Sequence, residues 1–258
     1  MFELKNVCAG YGGDFSLKGV TFGLDAGENI SIIGPNGCGK TTLLRAAANL
    51  IPFHGEISVS GRQIKSLSRL EAAREIAMLS QITPVYFNLT VFETVMLGRY
   101  AHIPRGFFNK PRASDREAAE AALGLVHMLD MRDRGLDTLS GGQLQRVFLA
   151  KALAQEPKVI LLDEPTNHLD LSYQVELIEF LRKWSSEGER CVVGVLHDVN
   201  LALFLSDRVL LMDDGRAEDY ANGELTSGSL SRVFGVDVAE YMRGVNERWE
   251  GVMRRSLG

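Results

Sequence analysis

Apolar residues recur along the chain in two periods. Residues 20–24 alternate apolar and polar positions, the spacing of a half-buried strand. Residues 28–33 end in an apolar run, and 57–59 and 76–80 read as further short strands. Residues 159–163, Val-Ile-Leu-Leu-Asp, are nearly all apolar, as expected of a strand covered on both faces. Residues 191–196 form another such run, and 209–212 lead into the turn Asp213-Asp214-Gly215. Between these runs, residues 40–49, 173–184 and 199–206 carry helical spacing. Strands alternating with helices predict an α/β core.

The middle of the chain has a different rhythm. From 82 to 156 strand signals fade and helical ones dominate. Ser114 with Glu117 has the spacing of a capping box, followed by Ala118, Ala121, Ala122, Leu125 and Leu129 on one predicted helical face. A second helix is expected after Ser140, ending before Pro157. The reading is one domain over 1–258. Its core comes from about 1–81 and 157–258, and a helical subdomain is inserted at about 82–156.

Composition narrows the function classes. The chain has 258 residues, 45% hydrophobic and 24% charged, within the range of folded globular proteins. Its formal net charge of −5 leaves no basic stripe to announce nucleic acid. No run approaches the ~18 apolar residues of a membrane span, and the first residues lack a signal-peptide core. A cytosolic chain that forms no membrane path of its own is expected. Cys8, Cys38 and Cys191 are an odd number without metal-type spacing, so neither a disulfide framework nor a zinc site is expected.

Gly34-Pro35-Asn36-Gly37-Cys38-Gly39-Lys40-Thr41 fits the phosphate-loop pattern G-x-x-x-x-G-K-[ST], between a predicted strand and a predicted helix. Glycines let backbone N–H groups curl around phosphates, and the helix start adds its positive dipole end. Asn36 to Thr42 form the candidate nucleotide site. Within it, Lys40 would reach the β- and γ-phosphates and Thr41 would ligate Mg²⁺. Cys38 reads either as a reactive thiol with lowered pKa beside Lys40, or as a small residue tolerated in the loop.

Asp163 and Glu164 close the apolar run at 159–163. A strand buried on both faces has no packing use for acids, but its C-terminal edge is where open α/β sheets meet ligands. Asp163 suits a Walker-B aspartate holding Mg²⁺, and Glu164 is placed to orient or deprotonate an attacking water.

Leu139-Ser140-Gly141-Gly142-Gln143-Leu144-Gln145-Arg146 resembles the signature of the ATP-binding-cassette (ABC) ATPases. Further segments of the chain, from about 2 to 214, resemble that family in order. Tyr11 is similar to the aromatic that stacks on adenine, although alone it reads equally as a turn aromatic. Gln81 resembles the Q-loop glutamine, a hinge residue between core and insert that would sense Mg²⁺ or water and move the insert. Asn167-His168-Leu169-Asp170 resembles the D-loop, with Asp170 at a dimer seam. His197 resembles the switch histidine at the γ-phosphate; without that context it reads as a buried, satisfied histidine.

The resemblance implies a P-loop NTPase (RecA-like) core with an antiparallel β edge, hydrolysing ATP with Mg²⁺. The signature residues Ser140, Gly141, Gly142 and Gln143 would act in trans, covering the γ-phosphate held by the other subunit of a head-to-tail homodimer. Each site is then built from both chains. Lys40, Glu164 and His197 would carry the chemistry.

The segment 82–112 holds Tyr86, Phe87, Phe92, Tyr100, Phe107 and Phe108, with Pro84, Pro104 and Pro111. These aromatics read either as packing of the insert or as a docking groove for a partner. In ABC transporters this region receives a cytoplasmic permease helix. Val95-Met96-Leu97-Gly98-Arg99-Tyr100, Leu171 after the D-loop, and Val233-Phe234-Gly235-Val236 are similar to ATPase subunits of iron-siderophore, haem and cobalamin importers. That resemblance implies two membrane permease subunits, an extracytoplasmic substrate-binding protein, no nucleic acid, and a peripheral place on the cytoplasmic membrane face. The alternatives are a soluble ABC ATPase of the iron–sulfur assembly type and an importer of another substrate such as a metal ion.

Overall fold

The computed structural model describes residues 1–12, 16–80, 89–103, 110–167 and 169–256. In chain order its strands are β1 (Phe2–Ala9), β2 (Val20–Leu24), β3 (Asn29–Ile33), β4 (Phe53–Val59), β5 (Arg62–Gln63), β6 (Ile76–Leu79), β7 (Val159–Asp163), β8 (Cys191–Val195), β9 (Arg208–Asp213) and β10 (Arg216–Ala221). The helices are α1 (Lys40–Ala47), α2 (Arg69–Glu75), α3 (Val91–Met96), α4 (Ala113–Leu125), α5 (Gly141–Ala154), α6 (Leu171–Ser186), α7 (Val199–Leu205), α8 (Ser227–Phe234) and α9 (Val238–Ser256).

The strands form two sheets. A six-stranded sheet runs β10-β9-β3-β8-β7-β6, parallel from β9 to β6 with β10 antiparallel at the edge. A four-stranded antiparallel sheet runs β2-β1-β4-β5. Every residue of β3, β7 and β8 is buried, which explains why these strands read as unbroken apolar runs. Their side chains divide between two apolar layers. Ile160, Leu162 and Val192 join the cluster that contains the helices of the middle segment, while Val159, Leu161 and Val193 join the cluster under the antiparallel sheet. The α/β core with an antiparallel edge is the architecture the sequence led us to expect.

Register places the ligand edge. Ile32 pairs with Val195, and Val195 pairs with Asp163. The C-terminal ends of β3, β8 and β7 therefore lie side by side. The phosphate loop, His197 and Glu164 each leave one of these ends.

Helices α3, α4 and α5 lie between β6 and β7 in the chain. Val91, Val95, Ala119, Leu123, Val147 and Ala150 share one buried cluster with Ala77 and Leu79 of the sheet region. A charge network centred on the buried Arg99 locks this corner. Arg99 Nε donates to Asp115 Oδ1 at 3.2 Å, and Nη1 donates to Glu156 Oε2 at 2.6 Å and to Ala154 O at 2.8 Å. Gln155 Nε2 donates to Ile76 O at 3.0 Å and ties the end of α5 to β6.

Helix α4 departs from expectation in cap and in rotation. It starts at Ala113, where the Asp115 carboxylate accepts from the Arg112 N–H at 2.9 Å, and Ser114 lies inside the first turn. Its buried residues are Asp115, Ala119, Ala122 and Leu123, whereas Leu125 and Leu129 are exposed. The stretch is rich enough in alanine and leucine to offer two apolar stripes, and the buried Arg99–Asp115 pair selects between them. Ala122 is buried as expected, whereas Ala118, Ala121 and Leu125 line a surface cleft of about 460 Å³ with Phe180 and Trp184. Of the aromatics at 82–112, Phe92 packs against the core with Arg132 over its ring, and Tyr100 is exposed. Tyr86, Phe87, Phe107 and Phe108 lie outside the described residues, as do Gln81, Pro84, Pro104 and His168.

Candidate functional site

The phosphate loop leaves β3 where only glycine fits. A Cβ on Gly34 would lie 2.1 Å from the Met212 carbonyl oxygen of β9. Gly37 and Gly39 adopt φ of 81° and 110°, values that disfavour side-chain-bearing residues. Helix α1 then starts at Lys40 behind an N-cap, Gly39, that offers no side-chain acceptor, so the first-turn N–H groups have no side-chain cap. Lys40 is buried and its Nζ donates to Gly34 O at 2.7 Å and Pro35 O at 2.8 Å. The ammonium folds back over the loop, held by these two carbonyl oxygens. Asn36, Cys38 and Thr42 follow the same turn, and Gly215 N donates to Cys38 O at 3.1 Å, tying the loop to the β9–β10 turn.

The Cys38 thiol does not match the reactive alternative. It is buried, and that burial pushes its pKa up from its ordinary value, with Lys40 only partly opposing the effect. At neutral pH the sulfur is therefore held as thiol. Iodoacetamide should label Cys38 more slowly than an unfolded-chain thiol at pH 7, with the rate climbing about ten-fold per pH unit above it while the thiol predominates. Mass spectrometry of the labelled peptide checks this, and fast labelling at pH 7 would contradict the buried placement.

The loop faces a carboxylate across the sheet edge. Thr41 Oγ1 donates to Asp163 Oδ1 at 2.9 Å. Asp163 is buried, which raises its pKa, and the Thr41 hydrogen bond opposes the rise. A hydroxyl and a carboxylate oxygen at this separation are hard donors of the kind Mg²⁺ takes, with phosphate and water oxygens completing its shell. Among the described residues there is no cluster of three or more His, Cys, Asp or Glu that would make an all-protein metal cage. The donor set thus fits a cation delivered with a phosphate ligand.

Next to Asp163 the chain turns sharply. Glu164 has φ of 55°, a left-handed conformation that costs a residue with a side chain roughly 1–2 kcal/mol. Its N–H donates to Val195 O at 3.2 Å across to β8. The carboxylate is held from two sides: Oε1 lies 2.6 Å from His197 Nε2, and Oε2 accepts from Asn167 Nδ2 at 2.6 Å. His197 is not a buried, satisfied histidine, since its side chain is 39% exposed and its Nε2 meets the Glu164 carboxylate. A carboxylate so oriented at a ligand edge can accept a proton from water.

Tyr11 is 60% exposed, and its hydroxyl accepts from Arg45 Nη1 of α1 at 3.0 Å. The ring is thereby fixed beside the helix that follows the phosphate loop.

The second glycine-rich helix start is elsewhere. Ser140 caps α5 in the expected capping box: Gln143 N donates to Ser140 Oγ at 3.3 Å, and Ser140 N to Gln143 Oε1 at 3.0 Å. A Cβ on Gly141 or Gly142 would meet only open space. Ser140, Gly142 and Gln143 line a cleft of about 340 Å³ with Met131, Asp170 and Tyr173, and no phosphate-loop residue contributes to it. Asp170 has a local task, accepting from Tyr173 N at 2.9 Å as the N-cap of α6. The structure therefore gathers Lys40, Thr41, Asp163, Glu164 and His197 on adjacent strand ends and leaves Ser140 to Gln143 in a separate cleft. Two polar side chains have placements that sequence spacing did not give. Asn167 grips Glu164 from three residues away, and the buried Gln145 of α5 donates to Pro165 O.

Residues 17–167 match the family described as ABC transporter. The chain is 37% identical over 235 residues to the ferric enterobactin transport ATP-binding protein of Escherichia coli (strain K12), covering 90% of this chain and 86% of that one. It is 35% identical over 242 residues to a petrobactin import ATP-binding protein of Bacillus anthracis, covering 92% and 88%. Among solved structures, a dimeric ATP-binding cassette in a post-hydrolysis state with ADP and Pi superposes with a TM-score of 0.72 at 31% identity. That match covers 86% of this chain and 99% of that one.

Proposed function

The chain belongs to the ABC transporter family, as an ATP-hydrolysing cassette, and from that premise we propose that it powers an importer of iron-siderophore type through a separate permease. The observation that carries the ATPase chemistry is the strand-end constellation, in which Thr41 meets Asp163 and Glu164 meets His197. Support for the cargo class comes from relatives named for ferric enterobactin and petrobactin. A further relative is named for iron(3+)-hydroxamate import, which extends the support to hydroxamate chelates.

The mechanism follows from the residues. Phosphate-loop N–H groups and Lys40 bind the β- and γ-phosphates, and the Tyr11 ring stacks on the base. Thr41 and Asp163 would hold Mg²⁺, with Gln81 as a further ligand, and the ion would supply positive charge against the phosphates. Glu164 orients a water in line with the γ-phosphorus and takes its proton as the new O–P bond forms and the bond to ADP breaks. Asn167 and His197 keep that carboxylate aimed, and His197 contacts the γ-phosphate. Ser140, Gly141, Gly142 and Gln143 of a second copy cover the γ-phosphate, making each site a joint product of two chains. ATP thus favours a closed homodimer, and hydrolysis releases it.

Among the described residues no helix is long and apolar enough to cross a membrane, so the transport path would belong to two permease subunits. Leu97 and Tyr100 are exposed on the segment after α3 and would meet a cytoplasmic helix of the permease. An extracytoplasmic substrate-binding protein would deliver the chelate, and this chain would sit at the cytoplasmic membrane face. Reconstitution with a permease pair of the iron-siderophore importer type, in vesicles loaded with ATP, should give uptake of ferric catecholate or hydroxamate chelates that stops in Glu164→Gln. Failure to associate with any permease in membranes, with ATPase activity intact, would overturn the transport reading and leave a soluble ATPase.

A further inference from the structure

Helix α5 carries the signature tip at its start and one buried polar side chain in its second turn. That side chain is Gln145, whose Nε2 donates to the Pro165 carbonyl at 2.5 Å. Pro165 directly follows Glu164, the residue in the left-handed conformation. Such a turn holds its shape only where neighbours over-determine it. Besides the Glu164 N–H bond to Val195 O and the carboxylate contact with His197, three side chains do so. Asn167 grips the Glu164 carboxylate, Gln174 Nε2 of α6 donates to Thr166 O and Leu169 O at 3.1 Å each, and Gln145 reaches in from α5. Only the last comes from the signature helix.

A second tie runs parallel to it. Arg146, the next residue of α5, bonds Glu176 Oε2 at 2.7 Å and lies over the Tyr173 ring at 4.7 Å, both in the first turns of α6. The segment from Pro165 to Tyr173 is therefore bonded to α5 at both ends. A helix moves as a rod, so displacement of the Ser140 tip carries Gln145 with it and pulls on the peptide that aims Glu164.

We propose that Gln145 is a positioning residue that transmits occupancy of the signature tip to the Glu164 turn of the same chain. The proposal rests on the homodimer reading given above. In that dimer the tip touches the triphosphate held by the other subunit. Each bound ATP then sets the carboxylate of the opposite site through Gln145, and the two sites fire cooperatively. The residue touches no substrate and acts through the Pro165 carbonyl alone.

Gln145→Met keeps length and volume and deletes the amide donor. Its kcat should fall about ten-fold while KM for ATP stays within about two-fold, the loss expected when one hydrogen bond that orients a reacting group is removed. Its Hill coefficient for ATP should drop towards one, with a thermal midpoint within a few degrees of the parent protein. Gln174→Met loosens the same turn from α6 and should lower kcat while leaving the Hill coefficient unchanged. Parental kcat and cooperativity in Gln145→Met would overturn the proposal. So would a kcat loss matched by loss of folded protein, or equal loss of cooperativity in Gln174→Met. If the parent protein itself is monomeric and non-cooperative during turnover, the dimer reading fails separately, and kcat of Gln145→Met alone decides whether the residue positions Glu164.

Discussion

Glu164→Gln should bind ATP and almost cease to hydrolyse it, with kcat lowered by about 10²–10⁴. The substitution exchanges one carboxylate oxygen for NH₂ and little else. Asn167 can still donate to the remaining oxygen, and the new amide can face His197 Nε2 as donor where the carboxylate was acceptor. The left-handed turn and its tie to Val195 are backbone features and survive. What disappears is the capacity to take a proton from water. With ATP bound and not consumed, the closed dimer should accumulate, visible as an ATP-dependent doubling of apparent mass in size-exclusion chromatography. Hydrolysis at the parental rate would remove Glu164 from its role.

Ser140→Arg should abolish turnover while leaving each isolated chain able to bind nucleotide. Ser140 is exposed at the start of α5 and lines a cleft to which the phosphate loop does not contribute. A long cation at that tip would clash with the serine–glycine contact to the triphosphate of the other chain. The same change removes the Ser140 cap, a loss of about 1 kcal/mol, too small to unfold a domain of this size. A thermal melt shows this directly. Fluorescent-nucleotide titration of dilute protein should give an affinity close to that of the parent. Lost binding in isolated chains would mean that Ser140 serves its own phosphate loop.

How far the fold could be read in advance depended on whether one local physical cause dominated. Strands β3, β7 and β8 are buried on both faces, so their sequences announce them. Strand β1 escaped because its pairing is irregular at Lys5 and Asn6, where Asn6 takes φ of 50° and the alternation breaks. Strand β10 has no fully buried residue and helix α9 is largely exposed, so neither contains an apolar run that announces it. The rotation of α4 was set by the buried Arg99–Asp115 pair, a contact spanning sixteen positions of chain. The site divides along the same line. Glycine spacing, the acids at the end of β7 and the Ser140 capping box are local patterns. The Gln145–Pro165 bond joins segments brought together only by packing, and no spacing rule marks it.

The claim beneath this account is that one triphosphate is held by the lysine loop of one chain and the serine tip of another. Mixing two inactive variants tests it most directly. In a dimer of one Lys40→Ala chain and one Ser140→Arg chain, both defects fall in a single site and the other site is intact. The mixture should regain turnover that neither variant has alone; roughly a quarter of the parental rate is the ceiling, because about half of randomly paired dimers are mixed and each keeps one of two sites, and the blocked tip, which no longer signals through Gln145, holds the rate below it. If the mixture stays as inactive as its components while mixed dimers form, each chain completes its own site and the shared-site account is wrong.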